Sequence, residues 1–425
     1  MNKKIWISIG LLIVLIILAV FLFMSKRSNN EIIINNDNVK LVNGKFNLNL
    51  IKTVNSNKNE NYLISPYSIE IALNLLRAGA SGETLTEIEN VVGNREINDV
   101  SINNRVSVAN AAFIKNKYKD YIKDDFYNTI VEKYNSELLY DDFKTPKVIN
   151  DWVNDKTDGM IEKILSSVDP SFAIGLANAL AIDVEWDGPF DCIETKSQQF
   201  IKMDGSKYNV EMMHKTLKNS NYKYLKSNLA TGVIIPYKMY NAKNGEVDYE
   251  KGNGLEFIGI LPNGDVNSYI NNLTNHELNE LDSSAREVNN DFQIKLSLPR
   301  FKYEYTLDNF KDVLMALGIK QAFDDTYADF TNIMEKRDNV GNLYVGEAIH
   351  KTYIDLNEKG TKAAAVTYFG MYTSGMIMEE PEYVTLTFDK PFIYMIRDTK
   401  TKEMLFFGVV YEPNKWVGST CKVDD

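Results

Sequence analysis

Only two cysteines, Cys192 and Cys421, and three histidines, His214, His276 and His350, occur in 425 residues. They are too few and too scattered for a disulfide framework, a CxxC redox pair or a clustered metal site, so neither a metal nor a cofactor is expected. The two cysteines could bridge in an oxidising compartment, but their positions in the chain do not supply the geometry a bridge needs, and the pairing stays open. Positive charge is also in deficit. With 47 Lys and Arg against 58 Asp and Glu, the formal net charge is −11. Such a chain repels a phosphate backbone, and no cluster of Lys and Arg interleaved with aromatics offsets this, which argues against a nucleic-acid partner.

The signatures of common enzymes are missing as well. Gly79-Ala80-Ser81-Gly82 has the wrong spacing for a nucleophile elbow and reads as a turn between helices. There is no phosphate-binding Gly-Lys-Ser/Thr loop, no His-Glu-x-x-His and no dinucleotide fingerprint. Acidic pairs such as Asp124-Asp125 and Asp324-Asp325 fit helix starts or solvated faces better than acid/base machinery. The expectation is a protein that is not an enzyme.

What is present begins with an apolar run. Residues 5–24 carry no charge and lie between Lys3-Lys4 and Lys26-Arg27. The run is long enough to cross a bilayer as one helix, exceeds the usual apolar core of a signal peptide and has no small-x-small cleavage site near Ala19 to Ser25. It predicts an uncleaved signal-anchor, with 25–38 as a tether and the remainder extracytoplasmic; a secreted, cleaved form is the alternative. Basic residues on both sides specify the orientation only weakly. From residue 39 to 413 no flexible linker or fixed-period repeat intervenes, which predicts one large domain followed by a tail, 414–425. Whether Asn272, in an Asn-Leu-Thr triplet, is glycosylated stays open.

Within the domain, helical signals come first. Ser65-Pro66 predicts an N-cap with Pro in the first turn, and Ile69, Ala72, Leu73 and Leu76 recur at helical spacing up to Gly79. Thr84 to Val92, closed by Gly93, and a segment opened by Thr145-Pro146 predict two more helices. Later, short apolar or alternating runs at 232–236, 255–261, 292–298, 384–388, 392–396 and 404–410 predict strands. Helices followed by strands point to an α+β fold.

The segment 343–367, LYVGEAIHKTYIDLNEKGTKAAAVT, resembles the hinge region of the serpins, a family of protease inhibitors. Four other stretches resemble that family in order: Ile64-Ser-Pro-Tyr-Ser-Ile69, the helix 149–161, Asn178 through Trp186 with Pro189-Phe190, and 388–397 with 405–413. Two departures stand out. The chain from Gly93 to Arg105 is too short for the helix that binds heparin in some members, which argues against heparin as a partner. Ala179 to Glu185 also replaces the usual aromatic-Lys-Gly pattern. The trimming resembles that of certain poxviral serpins.

The resemblance implies a fold of helices packed around a large central mixed sheet, with smaller sheets and an exposed reactive-centre loop. It implies a suicide mechanism in which a target serine or cysteine endopeptidase cuts the loop, forms a covalent acyl complex and is trapped as the loop enters the sheet. The hinge would be Glu358, Gly360, Thr361, Ala363, Ala364 and Ala365. Taking Thr361 as inward, alternation puts Ala363, Ala365 and Thr367 on the same face, all small enough to enter a sheet, and Lys362 on the wet face. Alone, the same residues fit an alanine-containing helix.

Ser65, Ser68, Asn178 and His350 would form a polar cluster beneath the opening strands, and Arg300 would pair with Glu358 near Trp186 where the loop enters. The simpler readings are an N-cap for Ser65, a satisfied core histidine for His350 and a weak surface pair for Arg300 with Glu358. Counting forward from Glu358 by the family's separation puts the reactive bond at Ser374-Gly375. Counting back from Lys390-Pro391-Phe392 lands nearer Ile377, with Met376 as runner-up. A serpin fold that no longer inhibits, acting as a membrane-tethered binding or chaperone module, is the alternative function.

Overall fold

Ser65 lies in extended backbone, and its hydroxyl accepts the Ser68 N–H at 3.1 Å, so the first turn of the Pro66–Gly79 helix starts capped. The computed structural model describes residues 44–55, 59–94, 106–241, 246–249, 254–335, 342–361 and 380–417, which belong to one compact unit. The second predicted helix begins two residues early, as Gly82–Val92. The third is Lys147–Lys156, with Pro146 at the N-cap position and not inside the first turn.

A seven-stranded sheet forms one wall. Its order is Tyr62–Ile64, Met404–Val410, Phe392–Asp398, Leu255–Pro262, Ala230–Pro236, Lys223–Lys226 and Arg286–Glu287, with every pairing antiparallel. Met404–Val410 reads as a continuous apolar run, and Phe392–Asp398 does so up to Ile396, because both faces are covered. A four-stranded sheet follows the order Glu382–Thr387, Phe292–Pro299, Lys207–Leu217 and Lys196–Ile201.

The remaining strands belong to the central sheet and are labelled here: β1 (Val106–Lys115), β2 (Ser136–Asp141), β3 (Ile174–Ile182), β4 (Val184–Glu185), β5 (Phe301–Thr306), β6 (Lys351–Leu356) and β7 (Gly360–Thr361). They form two separate ladders, β2-β1-β3 and β5-β6-β7-β4. The Asn178-to-Trp186 stretch that resembles the family is thus β3, which starts earlier and stops at Ile182, and then β4 after Asp183. Strand β1 explains how one strand serves two cores. Ala112 and Ile114 face the main core, while Ala111 and Phe113 face a smaller one closed by Trp152 and Val153 of the Lys147–Lys156 helix. Trp152 meets Phe113 edge-on, with centroids 5.6 Å apart.

Among the described residues no helix is long and apolar enough to cross a membrane. Residues 5–24 and the tether 25–38 lie outside the described residues.

Candidate functional site

The site is the gap between the two ladders of the central sheet. Among the described residues no ladder joins β3 to β6; the two halves connect only at the top, where β7 sits between β6 and β4. There Thr361 faces Leu356 on one side and Val184 on the other, and Gly360 faces Glu185. The approach is so close that a Cβ on Gly360 would lie 2.1 Å from the Val184 carbonyl oxygen, so only glycine fits.

The mouth of the gap is a dense polar and aromatic assembly. The Arg300 Nε donates to Glu358 Oε2 at 2.7 Å, and the Thr195 hydroxyl donates to the other carboxylate oxygen. Glu211 stands 3.6 Å from the same guanidinium. Glu358 is buried, so the pair is not the weak surface contact of the simpler reading. Trp186 is buried and donates its indole N–H to the Asn357 carbonyl at 2.9 Å and its backbone N–H to Lys359 at 2.8 Å. Its ring stacks on Tyr237 with centroids 4.4 Å apart and planes within 8°. Tyr237 in turn places its hydroxyl 2.8 Å from the Thr361 hydroxyl.

Beside them, Phe190 donates its N–H to the Glu358 carbonyl at 2.8 Å. The turn that holds Phe190 is pinned by Lys215, whose ammonium donates to the Gly188 and Pro189 carbonyls. Burial lowers the Lys215 pKa to about 8.

Lower in the gap, the expected polar cluster is present as two halves. The Ser68 hydroxyl donates to Asn178 Oδ1 on β3, while Asn178 Nδ2 donates to Asn110 Oδ1 at 2.7 Å. On the other side, the Ser65 N–H donates to His350 Nε2 at 3.0 Å, just before β6. No hydrogen bond between Asn178 and His350 is present among the described residues, so the start of the Pro66–Gly79 helix straddles the gap and touches both banks. Burial lowers the His350 pKa to about 4, so the ring is neutral and its Nε2 lone pair is available to accept.

Ala363, Ala364, Ala365 and the reactive bond Ser374-Gly375 lie outside the described residues. Three contributors escaped sequence reasoning: Tyr237, Thr195 and Glu211. Each is brought to the mouth by tertiary packing from a strand or turn remote in sequence, and no local pattern announces it. Asn414 also reaches this place, donating its N–H to the Arg300 carbonyl at 3.2 Å and accepting the Lys302 N–H at 3.1 Å. Cys192, in the turn before Thr195, is disulfide-bonded. The other cysteine of the chain, Cys421, lies outside the described residues.

Comparison with known proteins fits this geometry. The family model described as serpin (serine protease inhibitor) matches residues 41–413. Iripin-5 of Ixodes ricinus is 29% identical over 403 residues, covering 88% of this chain and 94% of its own. The leukocyte elastase inhibitor of Sus scrofa is 27% identical over 403 residues, covering 89% of this chain and 100% of its own. The crystal structure of the thermophilic serpin tengpin in the native state superposes with a TM-score of 0.72 at 30% identity, covering 89% of this chain and 95% of that one. The same protein in the latent state gives 0.66 at 28% identity, covering 89% and 100%. Matched along nearly the whole of its large domain, the chain belongs to the serpin family, a family of serine protease inhibitors and not of enzymes.

Proposed function

We propose that this chain inhibits endopeptidases by loop cleavage and insertion: the protease cuts the loop at Ser374-Gly375, remains as an acyl complex, and is trapped as the hinge side enters the gap between β3 and β6. The observation that carries the reading is the hinge seat, with Gly360 and Thr361 already paired between β4 and β6 above an unpaired gap. An inserted strand of roughly ten backbone hydrogen bonds, each worth about 0.5–1.5 kcal/mol net, supplies a driving force on the order of 10 kcal/mol. That is enough to distort a bound protease, in line with the general behaviour of serpin loops. Ser374 at the cut disfavours trypsin-like targets, whose acidic pocket takes Arg or Lys, and favours serine or cysteine endopeptidases with small or undemanding pockets.

Incubation with a protease panel should give a detergent-resistant covalent complex and a released C-terminal fragment that begins at Gly375. A fragment starting before Tyr372 or after Met378 would mean the loop register is wrong. Cleavage by every protease without a complex would instead favour a non-inhibitory binding module. Residues 5–24 are read as the anchor that keeps this domain at an extracytoplasmic membrane face. The full-length chain should then resist alkaline carbonate extraction, and a mature protein beginning after residue 24 would overturn the anchor.

A further inference from the structure

The Tyr237 hydroxyl has no part in the paired-carboxylate contacts of the mouth, yet it meets the first inward-facing hinge side chain. Tyr237 is 1% exposed and Thr361 2% exposed, and their hydroxyls are each other's partner at 2.8 Å. Tyr237 does not ride on either half of the sheet that must part. It continues the Ala230–Pro236 strand, its N–H donates to the Leu255 carbonyl at 3.0 Å, and its ring is clamped flat against Trp186. β4 is fastened to the same place, because Trp186 bridges Tyr237 and the Lys238 N–H donates to the Glu185 carbonyl at 2.8 Å. The Thr361 hydroxyl is therefore held through the seven-stranded sheet and not by the strands that flank the gap.

We propose that Tyr237 is a positioning residue for inhibition: its phenol seats Thr361 in the register from which the rest of the cut loop zips into the gap. This rests on the insertion reading above. The seated pair Gly360–Thr361 is the nucleus of the new strand, and each later residue adds to a ladder already begun. Without the seat, the first pairing must form after acylation, in competition with hydrolysis of the acyl bond. Burial also raises the Tyr237 pKa, which keeps its proton available for this bond across the working pH range.

The test is a double-mutant cycle of Tyr237→Phe and Thr361→Val, with Thr361→Ser as the conservative control. The Phe variant keeps the ring and its stacking, and Val keeps the shape of Thr, so each change removes one hydroxyl of the pair and little else. Either single change leaves a buried hydroxyl unpartnered. It should accelerate amide exchange at Gly360 and Thr361 in the uncut protein roughly tenfold, and raise the ratio of turned-over to trapped inhibitor by a similar factor, with the rate of loop cleavage unchanged. The double variant should lie closer to wild type than the sum of the singles, and Thr361→Ser should stay near wild type.

Unchanged exchange in Tyr237→Phe overturns the proposal without any protease being needed. Faster exchange with an unchanged partition ratio overturns it too, because the seat would then not be the start of insertion. A wild-type protein that gains no heat resistance when its loop is cut overturns the insertion reading, and the proposal with it. That outcome is recognisable because the exchange difference survives.

Discussion

In the seven-stranded sheet every residue of Phe392–Asp398 and Met404–Val410 is buried, and the ladder runs without a gap from Tyr62–Ile64 to Arg286–Glu287. In the central sheet no ladder among the described residues joins β3 to β6, most of β3 is only half-buried, and hydroxyl, amide, imidazole and carboxylate groups line the break. The first sheet is held by apolar area, which has no preferred direction and no switch. The second is held across its break by a few directional contacts, which the proposed insertion would exchange for others. One fold thus separates a part built to persist from a part that, under the proposed mechanism, changes.

The largest effect should come from the persistent part. Phe407→Ala removes a fully buried ring from the middle of the Met404–Val410 strand and should cost about 4 kcal/mol. Denaturant unfolding should show the same loss in loop-intact and loop-cut protein; a loss confined to one form would break the comparison.

Next comes acid. The folded His350 pKa of about 4 lies below the ordinary 6.5, so the unfolded chain takes up this proton first as pH falls. The stability contributed by the neutral ring is full above pH 6.5 and disappears as pH drops through 4, about 3 kcal/mol in all. Melting profiles of wild type and His350→Leu should converge over that window, and parallel profiles would show that the gate does not sense pH through this ring.

Glu358→Ala strips Arg300 of its nearest carboxylate and should cost about 2 kcal/mol, since charge-assisted bonds at a buried site are lost. Lys147→Ala, which removes an exposed pair with Asp151, is the control. Equal losses would mean that the mouth is no more than surface. The smallest effect is Ser65→Ala, which leaves the Ser68 N–H without its cap and should lower the unfolding free energy by about 1 kcal/mol.

The two regions also differed in how readable they were. Met404–Val410 and the first five residues of Phe392–Asp398 announce themselves because a strand covered on both faces is an uninterrupted apolar run. The Pro66–Gly79 helix is legible from Ser65 and Pro66. Strands β1 and β3 were harder, because VSVANAAFIK and IGLANALAI are rich in Ala, which favours helix, and only neighbours on both faces make them strands.

At the site, Ser65, Ser68, Asn178, His350, Trp186, Arg300 and Glu358 were assigned by family resemblance, and local chemistry singled out only Ser65, as an N-cap. The structure adds what resemblance did not carry: Asn178 turns to Asn110 and Ser68, away from His350, and Tyr237 and Thr195 complete the mouth.

The pairing of Tyr62–Ile64 with Met404–Val410 has a consequence for synthesis. A ribosome delivers the chain from one end, so Tyr62–Ile64 emerges long before its partner, and the hinge and reactive segment emerge before Phe392–Asp398 and Met404–Val410 exist. The rigid wall that carries Tyr237 is therefore finished only by the last strands made, and Asn414 reaches Arg300 later still. A nascent chain stalled before Met404 would carry its bait without a frame to spring it from, and nascent-chain proteolysis should find the seven-stranded sheet protected only after release.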